Sequence, residues 1–271
     1  MQWYPTTHTK TGEDRHRAIP GHEFSGVVAA VGADTDGVVG QEVFGMNDWF
    51  AEGATAEYCC TLPSAVAPKP LRVTHVEAAS VPIGALTAWQ GLFERAKLQP
   101  GERILIHGGA GGVGVFAVQL ARWRKARVTT TASAHNRDLL LQLGAQRIID
   151  YRTERVEDVA QDFDVVFDTV GGETLQRSWD LLGAGGRLVT IAASSETVVD
   201  ERAKQAFFIV EPNQPQLREI ARLLDAGELR PVIDAVVPFD QAALAYTRHG
   251  VPGRGCGKTV ISLIPENGEK I

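Results

Sequence analysis

An α/β fold, with a doubly wound parallel sheet in the middle of the chain and a β-rich partner built from both ends, is predicted by three observations. Between Pro100 and Val210, short apolar runs alternate with helical periods, the pattern of strands joined by crossover helices. A glycine loop, Gly109-Ala110-Gly111-Gly112-Val113-Gly114, follows the first of those runs and opens a helix. On either side the texture changes to short β-like segments broken by Gly, Pro and Asp. A chain of 271 residues has room for two such domains.

Taken in order, residues 1–21 are polar, rich in Thr, His and Arg, and show no period. Glu23–Val31, Gln41–Gly45 and Ala54–Leu62 then read as strands, and Ser64–Arg72, with Pro68 and Pro70, as a connector. Thr74-His75-Val76-Glu77 has capping-box spacing, so a helix begins there. Pro82 fits the first turn of the next helix, which runs to about Arg95. Six strands follow: Arg103–His107, Arg127–Ala132, Arg147–Ile149, Phe163–Asp168, Arg187–Ala192 and Phe207–Val210. Between the first two, Val113, Phe116, Ala117, Leu120 and Ala121 fall at i, i+3, i+4, i+7 and i+8, giving one buried helical face. Beyond Pro212 come a helix ending near Gly227, a strand at Val232–Val237, a helix after Asp240 and a last strand, Lys258–Leu263. The expected division is 1–82 for the first part of the β-rich domain, 83–211 for the parallel-sheet domain and 212–271 for the remainder.

Composition removes several function classes. The charges sum to −6, and no basic cluster marks a face for nucleic acid or an anionic membrane. Apolar residues at 44% and charged residues at 22% are a globular mix, which argues against a disordered chain. Three cysteines, Cys59, Cys60 and Cys256, cannot close a disulfide framework, and the odd count favours a reducing compartment. With no secretory leader and no apolar run near the ~20 residues that cross a bilayer, the expected location is the cytoplasm.

The glycine loop carries the sharpest chemistry. Gly109 permits a tight turn, and Gly111 has no side chain to hold a pyrophosphate off the backbone. Gly114 lets helix and strand pack closely, while Gly112 and Val113 complete a helix N-terminus whose N–H groups face the phosphates. An NAD site would place Asp or Glu at the end of the second strand for the ribose hydroxyls. Here that strand ends Thr129-Thr130-Thr131-Ala132-Ser133, and Asp138 lies inside the next helix. Ser133 can instead donate to a 2′-phosphate and Arg137 can pair with it, although Ser133 is equally placed to cap a helix and Arg137 to sit in solvent. The missing acid favours NADP(H) over NAD(H), and it also disfavours an S-adenosylmethionine site. Neither Gly-x-Ser-x-Gly nor Tyr-x-x-x-Lys occurs, so serine-hydrolase and short-chain dehydrogenase readings lack their motifs.

Several motifs in order resemble one family. Pro20-Gly21-His22-Glu23-Phe24-Ser25-Gly26-Val27-Val28, Ala78-Ala79-Ser80-Val81-Pro82, Leu86-Thr87-Ala88-Trp89 and the glycine loop are similar to the medium-chain dehydrogenase/reductase superfamily. Within it, the chain is similar to the zinc-free quinone oxidoreductase-like (zeta-crystallin-like) branch, from about Ile19 to Leu263. The resemblance implies a split GroES-like catalytic domain around a Rossmann domain, here N-terminally incomplete. Members begin with further strands before the stretch matching Trp3-Tyr4, so this chain is expected to lack a barrel edge, or to have it covered by another segment or subunit.

The resemblance also implies roles. Ser133, Arg137 and Tyr151 match the surroundings of the adenosine 2′-phosphate, and Thr87 the residue facing the nicotinamide. Val170-Gly171, Ala192 and Phe207-Phe208 match segments lining the cofactor cleft; read alone, the last pair would be a buried strand and Tyr151 a surface aromatic. Trp3 and Tyr4 are the substrate candidates that remain. Zinc-dependent relatives share Gly-His-Glu, but Ile83 stands where they have cysteine, and Cys59 and Cys60 would point to opposite faces of a strand. His22 is therefore expected to be a hydrogen-bonded structural residue and the metal complement none.

The function expected is an enzyme: an NADPH-dependent oxidoreductase moving hydride to a small electrophilic substrate such as a quinone or enone. The alternative is a non-catalytic NADPH-binding protein. Members often pair as homodimers through the Rossmann sheet edge, which these residues alone do not establish.

Overall fold

The computed structural model describes residues 8–15, 17–33, 35, 37–192, 200–247, 253 and 255–263. The chain divides into two compact units: Thr87–Val210 with Gly255–Gly257, and Met1–Leu86 with Glu211–Arg254 and Lys258–Ile271.

The first of these is a five-stranded, all-parallel sheet. Its strands are β4 (Arg103–His107), β5 (Arg127–Ala132), β6 (Arg147–Asp150), β7 (Phe163–Asp168) and β8 (Leu182–Thr190), in spatial order β6-β5-β4-β7-β8. That order reverses direction between β4 and β7, the switch point where doubly wound sheets bind ligands. Ile104, Leu105 and Ile106 are buried in succession because helices cover both faces of a parallel sheet.

Three expectations change here. Helix α3 (Gly114–Trp123) is buried on every side from Gly114 to Ala121, beyond the single face that its periodicity predicts. It packs on β4 and β5 and against α4 (Arg137–Leu143), and the one polar residue in the run, Gln119, donates its side-chain amide to the Val115 carbonyl at 2.9 Å. Phe207–Val210 is not a sixth strand: one isolated bridge joins Thr190 to Phe207, and pairing goes no further. Its apolar residues are used in side-chain packing, where Phe208 and Val210 are buried, and Pro212 supplies no N–H to prolong a ladder. β8 begins five residues earlier than Arg187, at Leu182, where Gly183, Gly185 and Gly186 mask the strand pattern.

Helix α2 (Pro82–Trp89) continues into a wider π-helical segment, Gln90–Arg95. A Cβ on Gly91 would lie 2.7 Å from the Phe167 ring and 3.2 Å from Phe208, so this turn exists to let the two aromatic rings close over the backbone. Helices α5 (Val156–Val159), α6 (Gly172–Ser178) and α7 (Glu201–Ala206) complete the unit.

The second unit holds the antiparallel sheet β1 (Glu23–Val27), β2 (Glu42–Met46) and β3 (Val66–Pro68), and the parallel pair β9 (Ile233–Pro238) and β10 (Lys258–Ser262). Helix α1 (His75–Ala79) starts at the predicted capping box, with Glu77 N–H donating to Thr74 Oγ1 at 3.2 Å and Thr74 N–H to Glu77 Oε2 at 2.8 Å. In α8 (Gln214–Asp225), Leu217, Ile220 and Leu224 form the buried stripe, which lies on β3. Helix α9 (Ala242–Thr247) follows β9. The strand expected at Ala54–Leu62 is absent: none of these residues is buried, so no core face rewards an alternating pattern. Instead Ala54 and Thr55 donate to the carbonyls of Gly21 and Pro20 at 2.5 and 3.0 Å. The opposite-face argument for Cys59 and Cys60 falls with that strand.

Candidate functional site

At the end of β4 the chain turns through Gly108, whose φ of +76° belongs to glycine. A Cβ there would sit 2.5 Å from Thr169 Oγ1. A Cβ on Gly109 would strike Thr130 Oγ1, and one on Gly114 the Gly108 carbonyl oxygen, so packing within the protein demands glycine at both. Gly111 is different. Its nearest neighbour would be the Gly108 oxygen at 3.3 Å, and the residue is exposed. A side chain there would need only a few tenths of an ångström of adjustment, against the outright clashes at Gly109 and Gly114. Beside it, the N–H groups of Gly112, Val113 and Gly114 make no hydrogen bond to another described residue, as the first turn of a helix leaves them. An open backbone concavity with three N–H groups and a helix dipole behind it suits an anionic pyrophosphate.

A buried polar network supports this loop from below. Thr131 Oγ1 accepts the Gly108 N–H at 3.1 Å and lies 3.3 Å from His107 Nδ1. Ser178 Oγ donates to the Thr174 carbonyl at 2.6 Å, so it accepts from His107 Nε2 at 3.0 Å. That assigns the proton of a neutral imidazole to Nε2, and burial, which pushes the His107 pKa down, favours the neutral form. Beside His107 in the sheet, Asp168 ends β7 with no exposed surface. Its carboxylate accepts the N–H groups of Val170 and Gly171 at 3.1 and 3.0 Å and the Thr190 hydroxyl at 2.7 Å. Sequence reasoning passed over Gly108, His107 and Asp168. The available signals were a doubled glycine and two polar residues ending apolar strands.

The turn held by Asp168 carries two of the expected cleft residues. Val170 is exposed, and Gly171, at φ +77°, is buried with space for a Cβ blocked by Ala192. Ala192 itself is exposed, so the loops after β7 and β8 meet at the same sheet edge as the glycine loop. Thr87 is buried within α2. Phe207 packs against the core cluster around Phe163 and Leu188, and Phe208 lies buried beneath Arg95, whose guanidinium carbon is 5.6 Å from the ring centroid. Trp3 and Tyr4 lie outside the described residues.

The other end of the sheet edge is built from side chains. Ser133 follows β5 and makes no side-chain cap; its Oγ lies 3.0 Å from His135 Nδ1. Arg137 opens α4, exposed, with a 3.5 Å contact to the Ile148 carbonyl. Ala132 and Asp150 are register partners, so Tyr151, 59% exposed, emerges beside Ser133. Arg152 stands over the Tyr151 ring at 5.8 Å, and sequence reasoning did not single it out.

A zinc ion is the other group that Gly-His-Glu brings to mind. His22 is buried, its pKa lowered first by that burial and then by Arg15. The ring is held by the Asp48 backbone, the hydrogen bond expected of a structural histidine, and by Trp49 at 5.1 Å, while among the described residues Nδ1 has no hydrogen-bond partner. One available nitrogen is too few for zinc, which needs three or four ligands, and no cluster of three His, Cys, Asp or Glu suited to a metal occurs among the described residues. Glu23 is occupied structurally: Oε2 accepts the Ile83 N–H at 2.9 Å, and Oε1 pairs with Lys258. The described residues do not fit a zinc centre.

Residues 143–261 match the family model described as zinc-binding dehydrogenase. A protein of Solanum lycopersicum named 2-methylene-furan-3-one reductase is 36% identical over 91% of this chain, which spans 64% of that relative's length. A mitochondrial protein of Homo sapiens named as an NAD(P)H oxidoreductase is 32% identical over 95% of this chain and 73% of its own. The solved quinone oxidoreductase of Coxiella burnetii superposes with a TM-score of 0.80 at 32% identity, covering 90% of this chain and 78% of that one.

Proposed function

The chain belongs to the medium-chain dehydrogenase/reductase superfamily, and on that footing we propose that it is an NADPH-dependent, zinc-independent reductase acting on quinones, enones or similar conjugated carbonyls. The observation that carries the reading is Gly111, exposed and far less constrained by its neighbours than Gly109 or Gly114, beside three N–H groups without partners among the described residues. Relatives named for NAD(P)H, for quinones and for a conjugated furanone support the same direction.

When bound, NADPH supplies the hydride. The chain's own residues position it. Gly112, Val113 and Gly114 receive pyrophosphate oxygens through their N–H groups, and Gly111 gives them clearance. Asp168 holds the Val170-Gly171 turn rigid at the neighbouring strand end, so that the cleft wall stays in place without reorganising. Ser133, Arg137 and Tyr151 recognise the 2′-phosphate. A conjugated acceptor is already electrophilic, so alignment against the nicotinamide carries the rate without a Lewis acid. The reading includes a small-molecule substrate, a homodimer and a cytoplasmic location. No described helix is long and apolar enough to cross a membrane.

The test is a fluorescence titration of the chain with NADPH and NADH, followed by NADPH oxidation with a small quinone before and after dialysis against a chelator. Preferential NADPH binding with chelator-resistant turnover is the expected result. Binding without turnover would support a nucleotide-binding protein instead, and activity restored only by added zinc would overturn the metal-free reading.

A further inference from the structure

We propose that Arg152 is the principal anchor for the 2′-phosphate, an assignment that rests on the NADP(H) reading and deepens it. The argument starts from register. β5 and β6 run parallel with Ala132 opposite Asp150, so the residues that follow each strand leave the sheet side by side at one edge. Ser133 and Tyr151-Arg152 therefore share the corner that a ribose 2′-substituent reaches.

The groups at that corner are not equally free to bind an anion. The Ser133 hydroxyl is engaged by His135 at 3.0 Å and by Asn136 Nδ2 at 3.4 Å. Arg137 gives one guanidinium nitrogen to the Ile148 carbonyl at 3.5 Å. Arg152 is exposed, and among the described residues its guanidinium has no carboxylate or carbonyl partner, only the face of Tyr151 at 5.8 Å. Its backbone is fixed: the N–H donates to Asp150 Oδ1 at 3.0 Å, and the turn closes with Thr153 and Glu154 N–H groups on the Asp150 carbonyl. An arginine on a fixed backbone, resting on an aromatic face and lacking an anion, presents its planar donor edge to a dianionic phosphate monoester.

The test compares dissociation constants of NADPH, NADH, 2′,5′-ADP and 5′-AMP for the full chain and its Arg152→Ala and Arg152→Lys variants, with thermal melts as a folding control. Wild type should prefer NADPH and 2′,5′-ADP. Arg152→Ala should lose about tenfold or more of the affinity for those two, with NADH and AMP changed less than about twofold, consistent with loss of one charge-assisted pair. The salt dependence of NADPH binding should flatten with it. Arg152→Lys should recover part of the loss, since an ammonium keeps the charge but not the fork. An Arg152→Ala chain that keeps the wild-type preference, or that loses NADPH and NADH equally, overturns this assignment and leaves the NADP(H) reading intact. A wild type that binds neither nucleotide, or binds NADH as tightly as NADPH, overturns both.

Discussion

The two ends of the proposed nucleotide site are made in different ways. The loop after β4 is built from backbone, with glycines whose positions the protein's own atoms dictate and a buried network of Thr131, His107 and Ser178 beneath it. The corner after β5 and β6 is built from side chains, the buried Ser133 with the exposed Arg137, Tyr151 and Arg152, and strand register sets Ser133 and Tyr151 at one edge. A backbone site is rigid, general for any pyrophosphate and expensive to mutate. A side-chain site leaves the fold untouched when altered and can set which nucleotide is preferred. Stability and specificity are thus separable here, and mutations should report them separately.

The largest effect expected is on the backbone side. Gly114→Ala drives a Cβ into the Gly108 carbonyl and to 2.7 Å from the Gly109 Cα, with no flexible side chain to yield. Overpacking costs ~1–3 kcal/mol and more where backbone must shift, so denaturant unfolding should show a loss of about 3 kcal/mol or more. A stability unchanged within error would mean that the loop is far softer than its contacts imply. Asp168→Ala comes next. It strands the buried Gly171 N–H and Thr190 hydroxyl and the part-buried Val170 N–H, for an expected loss of about 2–4 kcal/mol by urea melts. Asp168→Asn, which keeps an acceptor oxygen, should lose less.

Gly111→Ala separates the two kinds of glycine. Its Cβ needs only a few tenths of an ångström of adjustment, so the melting temperature should hold while nucleotide affinity falls about tenfold from the blocked approach. Equal NADPH affinity in this variant would remove Gly111 from the site. Arg137→Ala, on the side-chain end, should weaken NADPH several-fold (~1 kcal/mol), spare NADH and leave the melt unchanged; losses shared by both nucleotides would count against its role. The smallest expected effect is on pH. Burial lowers the pKa of His107 and His22 below the ordinary 6.5, so the unfolded chain takes up protons first as pH falls. Stability should be full above that value and decline from about pH 6.5 downward. His107→Gln should flatten part of the slope, and a slope that stays the same would show that the imidazole takes up its proton over the same pH range in the folded and unfolded chain.

Much of the architecture was legible from local rules. The capping box at Thr74, the strand Arg103–His107, the glycine loop and the helix after it all appear where spacing and composition place them. These elements satisfy their own backbone groups or follow a period, so neighbouring residues carry the information. The failures share an opposite cause. Ala54–Leu62 looked like a strand but has no face against a core, and Phe207–Val210 looked like one because its apolar residues fill space under Arg95 and beside Gly91. Apolar runs state that burial occurs, without stating whether a ladder partner is present.

The residue order by itself determined the doubly wound class, the glycine loop and the absence of an acid at the end of the second strand. Each is a matter of spacing along one or two elements. Tertiary structure alone decided that His107 supports the glycine loop and Asp168 the turn after β7, that packing constrains Gly111 less than Gly109 or Gly114, and that Tyr151-Arg152 leaves the sheet at the same edge as Ser133. These depend on contacts between residues about 20 to 70 positions apart, set by parallel register and by side-chain burial, which no local pattern encodes.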